Sequence, residues 1–264
     1  MPTRRDILYL SAAAVAMAPT LVAVASSSQD RKTYVLVHGA GHGGWCWRDV
    51  RRILRDAGHE VFTPTMTGLG ERIHLRSSDI SIETHITDIV NVIEFEELDD
   101  VILVGHSYGA RIVTGVADRI KDQIRHLVLL DGTMPLDGEP TIEEEHAGGF
   151  RAMAIDGYLM PNFPATAFGI PRGDTDKIDW VNRRLTEHMT ETFLEPINLP
   201  NAGGAGLPKT FIRCTDPPFR PGDDAMEKRI EADPDDWTYV QIATGHDAMV
   251  TAPEELSEIL LGVS

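Results

Sequence analysis

The most informative part of the sequence is Val101–Gly109, which reads VILVGHSYG. Its four apolar residues predict a buried strand, and the Gly-x-Ser-x-Gly motif that follows predicts a sharp turn into a helix. Glycine on both sides lets the backbone bend tightly, so the hydroxyl of Ser107 stands exposed at the strand end. Apolar residues then recur at helical spacing, at Ile112, Val113, Val116, Ala117 and Ile120. The sequence therefore predicts a nucleophile elbow.

Strand-like and helix-like segments alternate on both sides of this turn. Further strands are predicted at Thr33–His38, Glu60–Thr63, Leu127–Leu130, 210–213 and 237–242. This alternation predicts an α/β fold with a mostly parallel sheet and helices on both faces. Between 133 and 207 the strand pattern lapses, and we interpret this segment as an inserted helical cap with helices near 143–154 and 176–193. The core is then formed by 31–132 and 208–264.

Residues 1–25 have the organisation of a secretory signal peptide. The basic pair Arg4-Arg5 precedes a short apolar stretch, and Ala23-Val24-Ala25 supplies small residues for cleavage. Paired arginines are typical of the twin-arginine (Tat) export route. We therefore expect an exported protein, periplasmic or secreted, with no stable membrane insertion after cleavage. The alternative is an uncleaved anchor or a cytoplasmic tail.

Charge and composition narrow the range of partners. The 264 residues include 24 Lys and Arg against 41 Asp and Glu, a formal net charge of −17, which disfavours nucleic acid and anionic membranes as partners. Cys46 and Cys214 have no His or Cys neighbour at metal-ligand spacing, so we expect no metal site and no cofactor. Free buried thiols are favoured, although an exported protein leaves a Cys46–Cys214 disulfide open. No pattern indicates a particular oligomeric state.

His246 is the predicted base for Ser107, because serine is a poor nucleophile at neutral pH without a base within hydrogen-bond reach. It follows the last predicted strand, and the loops after parallel strands gather at one edge of the sheet. The acid that orients the imidazole has two candidates. Asp131 ends the strand after the elbow strand, and Asp216 follows the next strand. The residues by themselves leave both open.

Two backbone N–H groups are predicted to stabilise the oxyanion of the reaction. One is that of Tyr108, the residue after the nucleophile. The other is that of Ala40, in the glycine-rich loop His38–Trp45 with the sequence HGAGHGGW. Such a loop can instead hold a dinucleotide phosphate, but the Gly-x-Gly-x-x-Gly spacing of those sites is only partly met here. The downstream serine motif favours the oxyanion interpretation.

These motifs resemble those of the α/β-hydrolase family, from Thr33 to about Gly262. The sequences VLVHGAGHGGW at 35–45 and VILVGHS at 101–107 are similar to those of plant methylesterases and hydroxynitrile lyases. PTMTGLGER at 64–72 and TGHDAMV at 244–250 are similar to a bacterial, esterase-like branch of the same group. The resemblance implies a serine hydrolase that needs no cofactor.

The resemblance also bears on the acid and on the reaction. Bacterial members often end the strand after the elbow with Leu-Asp, as Leu130-Asp131 does here, whereas the plant acid motif is one residue short at Asp216. We therefore predict Asp131 as the acid, with Asp216 as the alternative. Hydroxynitrile lyases of the group carry a Thr where this chain has Gly39, and commonly a Lys where it has Asp247. Without that positive group, cyanohydrin cleavage is disfavoured.

The predicted function is a serine hydrolase that cleaves a small carboxylic ester through an acyl-enzyme intermediate. The alternatives are a small-molecule receptor on a hydrolase scaffold and a hydroxynitrile-lyase-like C–C lyase; amides and lactones are closely related substrates. We expect the cap to set specificity. Its candidate pocket residues are Met134 and Trp180, together with Phe150, Met153, Tyr158 and Phe193.

Overall fold

A parallel sheet forms the centre of the protein, for which a computed structural model describes residues 31–219, 224–232 and 234–264. The described strands are β1 (Thr33–Val37), β2 (Glu60–Phe62), β3 (Val101–His106), β4 (Ile124–Leu130), β5 (Leu159–Met160), β6 (His188–Met189), β7 (Lys209–Cys214) and β8 (Trp237–Ile242). Strands β5 and β6 form a separate two-stranded sheet. Six strands form one sheet in the order β2-β1-β3-β4-β7-β8, all pairs parallel. The predicted signal peptide lies outside the described residues.

Helices cover both faces of this sheet. The α-helices of the described residues are α1 (Arg48–Asp56), α2 (Ile82–Phe95), α3 (Tyr108–Ile120), α4 (Glu144–Ala152), α5 (Thr175–Asn182), α6 (Glu191–Leu194), α7 (Ala225–Ala232), α8 (Ala248–Thr251) and α9 (Pro253–Leu261), of which α4, α5 and α6 lie between β4 and β7. Side chains alternate across a strand, so Tyr34 and Leu36 of β1 pack in the cluster with α1 and α9, while Val35 and Val37 pack in the cluster with α2 and α3. The predicted α/β layering is thereby confirmed.

The central strand β3 explains why the elbow motif follows a continuous apolar run. All six of its residues are buried, because it lies between β1 and β4 and is covered on both faces. Its register pairs Gly105 with Val37 and His106 with Leu130. The residues that follow these parallel strands therefore meet at one edge of the sheet.

The segment between β4 and β7 departs from the prediction in two ways. The expected helix at 143–154 corresponds to α4, and helices occur at both ends of the stretch 176–193, but that stretch is not helical throughout. Helix α5 ends at Asn182, and β6 and α6 follow; β6 pairs with β5 in a segment where no strand was expected. The helix breaks because Thr186 docks elsewhere: its N–H donates to the carbonyl of Gly41 (2.8 Å), and its hydroxyl accepts from the N–H of Gly70 (3.3 Å).

Both cysteines are free and buried in the core on the α1 and α9 side of the sheet. Burial and the nearby Asp247 carboxylate raise the pKa of the Cys46 thiol well above its ordinary value, so this thiol stays protonated. Within the ranges that the structure describes, no helix combines the length and the apolar character that a membrane crossing needs.

Candidate active site

Ser107 occupies a strained turn between β3 and α3. Its backbone angles are φ 53° and ψ −121°, a conformation that a residue with a side chain rarely adopts. The flanking glycines serve close packing. A Cβ at Gly105 would lie 2.5 Å from the carbonyl oxygen of Gly109, and one at Gly109 would lie 2.7 Å from that of His38. The strain therefore falls on the serine itself, whereas the glycines allow strand, turn and helix to touch.

The imidazole of His246 and the carboxylate of Asp131 form a short buried hydrogen bond. Nδ1–H of His246 donates to Oδ2 of Asp131 at 2.6 Å, and both side chains are at least 96% buried. The other oxygen, Oδ1, accepts the backbone N–H of Cys214 at 3.1 Å. This arrangement fixes the tautomer of the imidazole and leaves Nε2 able to accept a proton. The structure thus brings Asp131 and His246 together across the sheet edge.

The other candidate acid lies in a different hydrogen-bond environment. The backbone N–H of Asp216 donates to the carbonyl of Thr244 at 3.0 Å. Within the described parts of the chain, the Asp216 carboxylate makes no hydrogen bond or ion pair with His246. The geometry therefore favours the first candidate over the second.

Aromatic rings hold the imidazole of His246 in place. The ring of Phe219 stacks on it with centroids 3.9 Å apart and an angle of 14° between the planes. The ring of His106 lies 4.5 Å away, and its Nε2–H donates to the carbonyl of His246 at 3.0 Å. The base is thus fixed through its ring, its Nδ1 and its backbone, which preorganises it for one direction of proton transfer.

Two carbonyl groups of the loop after β1 accept hydrogen bonds from histidine side chains of the same loop. His38 donates from Nδ1 to the carbonyl of Gly39 (2.8 Å), and His42 donates from Nδ1 to that of Ala40 (2.8 Å). Among the described residues, neither the N–H of Ala40 nor that of Tyr108 has an acceptor. Burial lowers the pKa of His38 to about 3, so it stays neutral. Two unpaired N–H donors at this edge fit an oxyanion hole.

A second buried pair, missed in the sequence, lies behind this loop. Nε2 of His42 bonds to Oδ2 of Asp247 at 3.1 Å, and both side chains are almost fully buried. Since both ring nitrogens of His42 face acceptors, these hydrogen bonds favour the charged imidazolium over the neutral imidazole. Burial alone lowers its pKa, but the charge of Asp247 and the hydrogen bonds to Asp247 and Ala40 outweigh burial and raise it. The acid that directly follows His246 was the available signal for this pair.

These elements open on a cavity of about 520 Å³. It is lined by all the predicted catalytic and oxyanion residues, Ser107, His246, Asp131, Ala40 and Tyr108. Apolar side chains from the cap line it as well, among them Ile142, Phe150, Met160, Phe163, Phe168 and Phe193. Most of the wall is apolar, as in sites for small organic ligands.

The two principal residues predicted for the pocket, Met134 and Trp180, do not line this cavity. Met134 packs on the hydrophobic core beside α3, and its N–H points at the sulfur of Met226 (3.2 Å). Trp180 is partly buried against the core on the α1 and α9 side of the sheet, where its ring lies 5.2 Å from that of Trp45 and the guanidinium of Arg48 lies 4.5 Å from its ring. Of the four further candidates, Phe150 and Phe193 line the cavity, whereas Met153 and Tyr158 do not. Large apolar residues alone did not distinguish the core of the cap from its pocket wall.

The fold and the site geometry agree with the family comparison. The model of the alpha/beta hydrolase family matches residues 34–259, most of the chain. The chain belongs to that family. The carbendazim hydrolyzing esterase of Nocardioides sp. (strain SG-4G) is 45% identical to this hydrolase over 243 residues, which are 86% of this chain and 97% of that protein. Methylesterase 9 of Arabidopsis thaliana is 26% identical over 254 residues, 88% of this chain and 98% of that protein.

A solved structure supports the same fold for the hydrolase. An extracellular alpha/beta-hydrolase from a Paenibacillus species aligns with a TM-score of 0.75 at 22% identity, covering 87% of this chain and 98% of that one. The predictions of an α/β-hydrolase of the bacterial, esterase-like branch and of an enzyme that hydrolyses carboxylic esters are confirmed by the family match and these relatives. In the described ranges, no group of three or more His, Cys, Asp or Glu side chains is placed to hold a metal ion.

Proposed function

We propose that this hydrolase cleaves small carboxylic esters with Ser107 as nucleophile, His246 as base and Asp131 as orienting acid. The observation that carries the proposal is the 2.6 Å bond between His246 and Asp131, buried beside the strained Ser107 on one cavity wall. The orientation of the base depends on this bond, since it holds the proton on Nδ1 and frees Nε2.

The chemistry follows from these positions. Oγ of Ser107 attacks the ester carbonyl while Nε2 of His246 takes its proton, and the N–H groups of Ala40 and Tyr108 stabilise the oxyanion. The imidazolium then protonates the leaving alcohol as the C–O bond breaks, and an acyl-enzyme remains. Water attacks this ester by the same route, returns the proton to Ser107 and releases the acid.

The cavity supports a compact substrate with an apolar body. About 520 Å³ is the size of a small-molecule site, and rings such as Phe150 and Phe193 line it. The relative from Nocardioides is named as a carbendazim hydrolyzing esterase. We therefore propose carbendazim as the first compound to test, beside simple alkyl and aryl esters.

The deciding experiment uses p-nitrophenyl esters of increasing acyl length with the wild-type protein and with Ser107→Ala. We expect turnover by the wild type and a loss on the order of a million-fold in the variant. Labelling of the wild type by an organophosphonate, mapped by mass spectrometry to Ser107, would identify the nucleophile directly. Undiminished activity in Ser107→Ala would refute the mechanism.

We also propose that the protein is exported by the twin-arginine route. Support comes from the sequence alone, in Arg4-Arg5 and the small residues Ala23-Val24-Ala25. Expression of the full chain should place esterase activity in the periplasmic or secreted fraction. The double variant Arg4→Lys, Arg5→Lys should hold it in the cytoplasm. Equal distribution of both would contradict the route.

A further inference from the structure

Two guanidinium groups line the same cavity as Ser107. Arg111 lies on α3, four residues after Ser107, which is about 6 Å along the helix axis and close to the same face. Its side chain is on the buried part of α3, and the residue is only 6% exposed. Arg229 reaches the cavity from α7 and is partly buried. A guanidinium as deeply buried as that of Arg111 needs an opposite charge nearby and acceptors for its N–H groups.

The partners that the fold supplies do not satisfy these two groups. Nη2 of Arg229 donates to both carboxylate oxygens of Glu139, at 3.1 and 3.0 Å, and Nη2 of Arg111 donates to the backbone carbonyl of Glu139. The N–H of Leu136 also donates to the Glu139 carboxylate, at 2.6 Å. The Glu139 carboxylate therefore pairs with Arg229 and is already engaged by three hydrogen bonds, whereas Arg111 meets only the backbone carbonyl of the same residue.

Two buried donors remain without an acceptor. Nε of Arg111 and Nη1 of Arg229 are both inaccessible to solvent and have no hydrogen-bond partner among the described residues. Two other charged groups on the cavity wall are accounted for. Arg213 faces Glu227 at 3.8 Å, and Glu143 is exposed at the start of α4. Among the described residues, the guanidinium of Arg111 thus has no carboxylate as a hydrogen-bond partner, which fits an anionic acceptor bound beside it at the cavity wall.

We propose that Arg111 and Arg229 bind a carboxylate carried by the substrate, so that the hydrolase prefers half-esters of dicarboxylic acids to neutral esters. The inference rests on the proposed function, since the ester group is the one that Ser107 attacks. Because Arg111 is one helical turn from Ser107, the carboxylate is expected a few bonds beyond the scissile carbonyl, at the far end of the acyl chain.

The test compares three esters in which only the distal group changes: monomethyl adipate, dimethyl adipate and methyl hexanoate. We expect kcat/KM of the wild type for the half-ester to exceed that for both neutral esters by about ten- to a hundredfold, the range for a hydrogen bond to a charged group. Monomethyl succinate, glutarate and pimelate would then give the preferred chain length. Equal preference for half-ester and diester would mean a neutral-acceptor site, and would overturn the proposal.

Single substitutions test whether the two arginines cause the preference for the half-ester. Arg111→Met and Arg229→Met should each lower the ratio of half-ester to hexanoate kcat/KM towards 1. The matched control is Arg119→Met, which removes a guanidinium from the same helix where it pairs with Glu83 outside the cavity. It should keep the wild-type ratio. Because each ratio is internal to one protein sample, a loss of folded protein cancels from it.

Failure of this inference is distinguishable from failure of the proposed function. If the wild type cleaves methyl hexanoate, Ser107→Ala does not, and the ratio is near 1, the carboxylate site is wrong and the function stands. If no ester is cleaved, calorimetry of Ser107→Ala with adipate still tests the site. Binding that Arg111→Met weakens at least tenfold supports it, and absence of binding overturns it.

Discussion

Replacing Asp131 by Asn should lower kcat by about ten-thousandfold, for a reason that the geometry of this site supplies. Oδ1 of Asp131 accepts the N–H of Cys214, so the amide oxygen of Asn takes that place and its NH₂ group faces Nδ1 of His246. Nδ1 then has to accept, the proton moves to Nε2, and the imidazole cannot take the proton of Ser107. A substitution that barely changes the shape therefore inverts the polarity of the base.

The magnitude has two parts. An imidazolium and a carboxylate with charges about 4 Å apart attract each other by about 4 kcal/mol at an effective dielectric constant of about 20. Loss of that attraction in the transition state is about a thousandfold in rate. The unfavourable tautomer adds about another tenfold, which gives the ten-thousandfold known for this substitution in other Ser-His-Asp triads.

The assay is steady-state hydrolysis of p-nitrophenyl acetate, with Asp216→Asn as the matched control. Asp216 makes no described contact with the imidazole, so its variant should stay within about threefold of the wild type. Circular dichroism should show equal folding of both variants. Retention of more than a tenth of the activity by Asp131→Asn, or an equal loss in Asp216→Asn, would refute the assignment of the acid.

Three further outcomes follow from packing and charge. Gly109→Ala places a Cβ 2.7 Å from a backbone carbonyl oxygen and should lower the free energy of unfolding, measured in urea, by about 2 kcal/mol or more. Its control is Gly148→Ala within α4, where no atom other than those of the helix backbone and the adjacent residues lies within 4 Å of the added Cβ, and this change should raise the free energy of unfolding by about 0.5–1 kcal/mol. Because the folded-state pKa of His42 is raised, the stability lost in His42→Gln should be largest below pH about 6.5 and should shrink as pH rises through that pKa; a pH-independent difference would contradict the ion pair. Phe193→Ala should change the acyl-length preference on p-nitrophenyl esters, whereas Trp180→Ala should not, because only Phe193 lines the cavity.

The sequence predictions were most accurate for features that the topology of the sheet determines. The strand before Ser107, the strand before Asp131 and the loop that carries His246 could be placed because parallel strands end at one edge. The motif at 105–109 was also predictive, although its glycines allow close packing rather than an unusual backbone conformation. These features depend on local pattern and on a general rule of α/β folds, so one sequence suffices to find them.

Features set by tertiary contacts were not predictable in the same way. The helical stretch expected at 176–193 is interrupted because Thr186 bonds to two loops far away in sequence. Met134 and Trp180 have the size and apolarity of pocket residues, but packing on the core and on surface arginines engages them instead. Periodicity measures how apolar a position is, and it does not say whether the neighbouring space is filled by protein or left open.

Arg111 is partly predictable from the sequence and partly dependent on tertiary contacts. Every residue from Tyr108 to Asp118 is buried, so a guanidinium within this run conflicts with the local pattern. Four residues make about 400° of helix rotation, which places Arg111 close to the face of α3 that follows Ser107. The conflict and the spacing are both readable in the sequence, and together they indicate a charge held beside the reacting serine. A charged residue that interrupts a buried apolar helix one turn after the nucleophile is thus a good candidate for a substrate contact.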